Sequence, residues 1–146
     1  MKKHFWIYVL ILSVLSMTGC QFSSLSQKPE APLHDSVLSY DLPMDLAFLR
    51  TMEALEKIPD WTLEATEKEK GWIRIRNVNY SRFDDASKRL ITVRVTPKGR
   101  DKVSIQLSEE SQRVLGGDTV LTAIDDVLKK ASEERAARMS ANQPAA

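Results

Sequence analysis

The chain contains one cysteine, Cys20, which directly follows Gly19 at the end of an apolar run. Lys2 and Lys3 precede that run, and residues 5–15 are apolar except for one serine. A short basic region, an apolar stretch and then small residues are typical of a secretory signal peptide, and the stretch is shorter than the roughly 20 residues of a membrane span. A thiolate is a strong nucleophile toward an alkylating donor. A lone cysteine cannot form an internal disulfide, so the role of Cys20 has to follow from the residues around it.

The residues Met17-Thr18-Gly19-Cys20, behind Leu15-Ser16, resemble the lipobox of bacterial lipoprotein precursors. The resemblance implies a diacylglyceryl group on the sulfur of Cys20, removal of residues 1–19 as the signal peptide, and an N-acyl lipid on the new amine. Two or three acyl chains hold a protein firmly on a bilayer. Gln21 stands where aspartate would retain an enteric lipoprotein in the inner membrane, which implies outer-membrane anchoring with the domain facing the periplasm. The alternatives are an uncleaved anchor and a soluble secreted protein cleaved elsewhere.

The segment that follows the cysteine is rich in Ser, Gln and Pro. This composition predicts a lipidated flexible tether over residues 20–40, in which His34 is a solvated residue without partners. Periodic apolar residues predict a folded domain over residues 41–134. The charged, Ala-rich residues 135–146 have no apolar face and are predicted to be a disordered tail.

Helical and strand periodicities alternate along the predicted domain. Apolar residues spaced by three and four predict helices near residues 44–55 and 120–131. Alternation by two predicts four strands between them. In the first strand, Trp61, Leu63 and Ala65 are expected on one face. The predicted fold is α+β, with a four-stranded antiparallel sheet, two helices packed on one face and the order α-β-β-β-β-α.

A second resemblance covers the predicted first helix and the strands after it. The run "DLPMDLAFLRTMEALEKIPDWTLEATEKEKGWIRI" is similar to the opening of the α+β domains of BamC-like small envelope lipoproteins, through Asp45, Ala54, Leu55, Trp61 and Gly71. The similarity implies the fold and the location, and a role in outer-membrane assembly or maintenance.

The residue types that catalysis most often uses are scarce. With the leader removed, His34 is the one histidine and Cys20 carries lipid, which argues against histidine triads, thiol catalysis and zinc sites. Adjacent carboxylates point apart in regular structure; these pairs are Asp84 with Asp85, Glu109 with Glu110, and Asp125 with Asp126. We expect no enzyme activity, no metal and no cofactor besides the lipid. The net charge of +1 provides no overall attraction to nucleic acid, so we expect no binding to it.

Arginine and aromatic residues share the polar side of the middle strands. The candidate binding face consists of Trp72, Arg74, Arg76, Tyr80 and Arg94, with Lys102 as a further candidate. Such residues suit phosphate, carboxylate or a protein partner. The alternative is that they form cross-strand pairs with Glu64 and its neighbours, which add solubility and a few tenths of a kcal/mol each. The sequence favours a non-catalytic interaction or accessory module for an envelope protein. The alternative is a periplasmic domain that binds an anionic ligand, such as a lipid head group or glycan. The oligomeric state stays open.

Overall fold

The computed structural model describes residues 32–79 and 89–142, so Cys20, the leader and Tyr80 lie outside the described residues. Within them the chain forms five strands, two α-helices and one 3₁₀ turn. In chain order these are β1 (Leu38–Tyr40), α1 (Met44–Glu56), β2 (Trp61–Glu67), β3 (Trp72–Asn77), β4 (Leu90–Gly99), β5 (Lys102–Leu107), the 3₁₀ turn (Glu109–Ser111) and α2 (Gly117–Ala141).

The strands form one antiparallel sheet in the order β1-β5-β4-β3-β2. The α+β class, the antiparallel sheet and the two helices are confirmed. The predicted number of four strands is wrong, because β1 adds a fifth beside β5. Leu38 pairs with Ile105 and Tyr40 with Val103. Three residues are too short for an alternating pattern to be visible, so it is the pairing with β5 that makes this segment a strand.

Both ends of the folded region extend beyond the predicted boundaries. β1 falls inside the predicted tether, and the backbone N–H of His34 donates to the carbonyl of Gln112 at 2.8 Å. At the other end α2 continues to Ala141, past the predicted end at residue 134. Arg135 holds this extension, since its guanidinium contacts Asp101 Oδ1 at 2.8 Å and the carbonyl of Asp41 at 3.2 Å. The remaining helical residues are rich in alanine, the strongest helix former.

The hydrophobic core lies between one face of the sheet and the two helices. Strands β3, β4 and β5 point alternate apolar residues into it, and the helices cover them with one apolar side each. Its fully buried members include Ile73, Ile75, Ile91, Val93, Val103, Ile105, Ile124 and Leu128. Each such side chain contributes about 1.5–3 kcal/mol by burial. The opposite side of the sheet, which we call the open face, is covered by neither helix.

A β-bulge interrupts the pairing of β2 with β3. Leu63 pairs with Ile75, but Ala65 pairs with Arg74, so β2 carries one extra residue between these pairs. An extra residue reverses the side on which all later side chains lie. Ala65 therefore lies on the open face, and its expected place beside Trp61 and Leu63 is wrong.

Gly71 aligns the β2–β3 turn with β4. Its carbonyl accepts a hydrogen bond from the backbone N–H of Val95 at 2.7 Å, and its φ is +66°. A Cβ at this position would lie 2.1 Å from the backbone oxygen of Val95. Because any side chain would collide with backbone, glycine is required here, and the contact brings Trp72 opposite Arg94.

Candidate functional site on the open face of the sheet

Three rows of paired residues make up the centre of the open face. Directly paired residues in antiparallel strands have side chains on the same side of the sheet, about 5 Å apart. Across the strands, the rows are Glu67, Trp72, Arg94 and Gln106; then Ala65, Arg74 and Thr92; then Thr62, Arg76 and Leu90. Trp72, Arg74, Arg76 and Arg94 therefore share one surface, as the sequence predicted.

Two arginines are neighbours of Trp72 on the open face, one on the same strand and one across the strands. The Arg74 guanidinium carbon lies 5.2 Å from the centroid of the Trp72 ring, within the range of a cation–π contact. Arg94 is exposed and lies across the strand from the same tryptophan. Within residues 32–79 and 89–142, neither arginine has an acidic partner. A guanidinium carries N–H donors in a fixed planar arrangement that carboxylates and phosphates fit.

Arg76 belongs to a different arrangement on the same face. Its guanidinium forms an ion pair with Glu64 across the strands, at 2.5 Å. The two side chains are 42% and 32% exposed, so the pair contributes less than about 1 kcal/mol to stability. The alternative of a cross-strand pair with Glu64 is confirmed for this arginine, which makes Arg76 a poor candidate for binding.

The bulge explains why Glu64 pairs with Arg76 and not with Arg74. If the pairing of Leu63 with Ile75 continued without interruption, Glu64 would lie directly opposite Arg74. The extra residue instead places Ala65 opposite Arg74 and leaves Glu64 near Arg76. A small side chain at position 65 leaves space for the Arg74 guanidinium to lie over the indole.

The structure does not join Lys102 to this cluster. Lys102 begins β5, four residues from Gln106, which is the residue paired with Arg94. Its ammonium lies 4.0 Å from the carboxylate of Asp41, at the other end of the sheet. Tyr80, the fifth predicted member of the face, lies outside the described residues.

On the helix side of the sheet, a side-chain hydrogen bond that sequence patterns did not indicate joins a strand to a helix. The hydroxyl of Tyr40 donates to Asp125 Oδ1 at 2.5 Å and so connects β1 to α2. Burial of the ring, together with this hydrogen bond and the nearby negative charges of Asp125 and Asp126, raises the pKa of Tyr40 above its ordinary value. The two partners are 85 residues apart in sequence, and no spacing rule links them.

His34 is also placed differently from its prediction. Its ring packs against Gly117, where a Cβ would lie 2.6 Å from the ring carbon Cδ2. The side chain is half-buried and belongs to a segment that is docked on the domain. The prediction of a solvated linker residue is therefore wrong, because Gly117 provides the space that the ring fills.

No helix in the described part of the chain is both long and apolar enough to cross a bilayer. The described residues also contain no cluster of side chains that would hold a metal ion. In residues 32–79 and 89–142, no three His, Cys, Asp or Glu side chains converge as metal ligands. In the comparisons with known proteins, neither a family model nor a curated protein matches the chain.

Proposed function

We propose that this chain is a lipid-anchored envelope lipoprotein whose domain is a non-catalytic interaction module, in outer-membrane assembly or maintenance. The open face of the sheet is the surface on which an envelope protein docks. One observation supports this best: Arg74 lies over the ring of Trp72, Arg94 is paired with Trp72 across the strands, and neither arginine has an acidic partner in the described residues. Tryptophan and arginine are the residue types most enriched at the energetic centres of protein interfaces.

The arrangement of the face favours a protein over a small ligand. The alternative of a small anionic ligand requires an enclosed pocket lined by Trp72, Arg74 and Arg76. The clefts of about 300 Å³ in the described residues instead lie between α1 and α2 and beside the segment that precedes β1, and none of their lining residues belongs to this cluster. An open sheet surface with an aromatic centre suits a broad contact.

The anchor at Cys20 would keep the domain near the membrane. Residues 21–33 separate the cysteine from His34, the first of the described residues with a backbone hydrogen bond to the domain. The Ser- and Pro-rich composition of this segment predicts a flexible linker, which at that length would have a typical reach of about 20 Å. A tether of this kind confines the open face to partners in the same membrane or in the periplasm just above it.

The anchor is tested by mass spectrometry of the amino-terminal peptide of the native protein. We expect a diacylglyceryl thioether and an N-acyl group on Cys20, and residues 1–19 to be missing. A free thiol, or an intact leader, would contradict the anchor.

Docking is tested by photo-crosslinking in membranes of the producing bacterium. A photoactivatable residue replaces Thr92, which pairs with Arg74 on the open face, and in a control it replaces Glu133, which is exposed on α2. We expect a protein adduct from position 92 and none of the same mass from position 133. Identical adducts from both positions, or no protein adduct from position 92, would refute docking at the open face.

A further inference from the structure

Resting on the proposed docking function, we infer that the segment recognised at Trp72 is an extended acidic stretch of the partner, and that the bulge in β2 keeps Arg74 available for it. The proposal concerns the chemistry of the partner and assigns a role to Ala65, a residue with no functional group of its own. Two observations carry it: the pairing register of β2 with β3 and the spacing of the two arginines.

The bulge determines which arginine is neutralised within the chain. Glu64 is the acid that a regular ladder would place opposite Arg74, and the bulge directs it to Arg76 instead. Exposed edge strands are commonly interrupted by bulges that redirect a side chain. Here the redirection leaves Ala65 opposite Arg74, and within residues 32–79 and 89–142 the charge of that arginine is compensated by the face of the Trp72 ring and by no acid.

The two available arginines match the repeat of an extended peptide. Arg74 is two residues from Trp72 along β3, which is about 6.8 Å, and Arg94 is about 5 Å from Trp72 across the strands. The two arginine backbones are therefore about 8 Å apart. Carboxylates at alternate positions of an extended chain lie about 6.8 Å apart on one side, so a segment of the form Asp/Glu-x-Asp/Glu can reach both guanidinium groups.

An anionic membrane surface fits this face less well. Membrane-binding patches usually contain four to eight basic residues, and each raises binding about five-fold, which is about 1 kcal/mol. Among the described residues this face has two available arginines, Arg74 and Arg94, which is fewer than such patches contain. The Arg74 guanidinium also covers one face of the Trp72 ring, which would otherwise insert among the lipids.

The decisive variant supplies the missing acid within the chain. Ala65→Glu places a carboxylate opposite Arg74, while Ala65→Gln adds a neutral side chain of the same size. With the photoactivatable residue at position 92 in the full-length lipidated protein, we expect Ala65→Glu to lower the protein adduct at least ten-fold and Ala65→Gln to change it less than two-fold. Sequencing of the adduct should give a peptide that contains two acidic residues at alternate positions.

Several results would overturn the inference. Equal adduct yields from Ala65→Glu and Ala65→Gln would show that Arg74 does not meet an acid, and so would a peptide without acidic residues; either result would leave docking itself standing. A phospholipid adduct in place of protein would favour the membrane and refute both proposals. Absence of any adduct at position 92 would refute docking, and the inference with it.

A second pair of variants guards against misfolding at position 65. Arg94→Gln removes an available charge, whereas the double variant Glu64→Gln with Arg76→Gln removes a neutral ion pair and leaves the net charge of the face unchanged. We expect a loss of adduct of about ten-fold for Arg94→Gln and a change of less than two-fold for the double variant. Equal losses in the two variants would also overturn the inference.

Discussion

Neighbouring residues of β3 belong to two regions with different physical roles, the hydrophobic core and the open face. On β3, Ile73 and Ile75 are fully buried against the helices, while Trp72 and Arg74 lie on the open face between and beside them. A shift of one residue along the strand therefore moves from the core to the candidate site. Since the side chains alternate, stability and binding can be changed separately at adjacent positions, and the contrast can be tested one residue at a time.

Arg74 also differs from other half-buried arginines, including its neighbour Arg76, which pairs with Glu64 on the same face. Arg50 on α1 pairs with Glu53 at 2.7 Å, and Arg135 on α2 pairs with Asp101 at 2.8 Å. Arg74 is half-buried as well, but in the described residues it has an aromatic ring and no acid beside it. A partly desolvated cation without an acid costs stability unless something else compensates it. An acid from outside the chain would provide that compensation, and this need distinguishes Arg74 from Arg50, Arg135 and Arg76.

The largest effect on stability is expected at Gly71, which aligns the β2–β3 turn with β4. Gly71→Ala forces a non-glycine residue into φ +66°, at a cost of about 1–2 kcal/mol, and its Cβ would collide with the backbone oxygen of Val95. We expect a loss of more than about 3 kcal/mol in the free energy of unfolding by urea. Gly99→Ala, whose Cβ would meet nothing within 4 Å, should stay within about 0.5 kcal/mol. Equal losses in the two variants would show that the backbone contact with Val95 is unimportant.

The next largest effect on stability is expected at Ile75, and it can be compared with the effect at the adjacent residue Arg74. Ile75→Ala leaves a cavity in the core and should cost about 2–5 kcal/mol, because Ile75 is fully buried. Arg74→Ala, one residue away on the open face, should cost less than about 1 kcal/mol and should remove the crosslink from position 92. Urea unfolding measures both. A loss at Arg74 as large as that at Ile75 would contradict the division of the strand into a structural side and a binding side.

Sequence patterns predicted the parts of the fold that depend on local periodicity. The two helices, the four longer strands and the sharing of one surface by Trp72, Arg74, Arg76 and Arg94 follow from apolar spacing, and the structure confirms them. Each of these elements carries several repeats of its own pattern, so the assignment does not require knowledge of tertiary contacts.

The features that sequence patterns missed depend on contacts between distant segments. β1 has three residues and exists because β5 is beside it, and His34 is held by Gln112 and Gly117. The bulge in β2 leaves no composition signal, since Ala65 suits either face of a strand. It nevertheless decides which arginine pairs with Glu64, so the central property of the candidate site could not be read from the alternation alone.

A smaller effect is expected on the helix-covered side from Tyr40→Phe. This variant keeps the buried ring and removes the hydroxyl that donates to Asp125, so it should cost about 1–2 kcal/mol near neutral pH. Differential scanning calorimetry measures the change. No loss would show that the contact between β1 and α2 adds nothing to stability, whereas binding at the open face should be unaffected in either case.

The same variant predicts a difference at alkaline pH. Because the pKa of Tyr40 is raised in the folded protein, the unfolded chain loses this proton first as the pH rises above about 10. The contribution of Tyr40 to stability is therefore fully present below that pH and declines above it. We expect the wild-type protein to lose its advantage over Tyr40→Phe progressively above about pH 10. A constant difference between the two up to pH 11 would contradict the raised pKa.

The smallest effect on stability is expected from Glu64→Gln, although this variant should change binding at the open face. The Glu64–Arg76 pair is partly exposed and well screened, so its loss should change the unfolding free energy by less than about 0.5 kcal/mol. The variant nevertheless frees a third arginine beside Arg74 and adds a positive charge to the open face. If an acidic segment docks there, crosslinking from position 92 should increase, and it should become more sensitive to salt because exposed charge interactions are screened by ions. A marked loss of stability with unchanged crosslinking would assign Glu64 a structural role and would place the open face with the helix layer as a region built for folding.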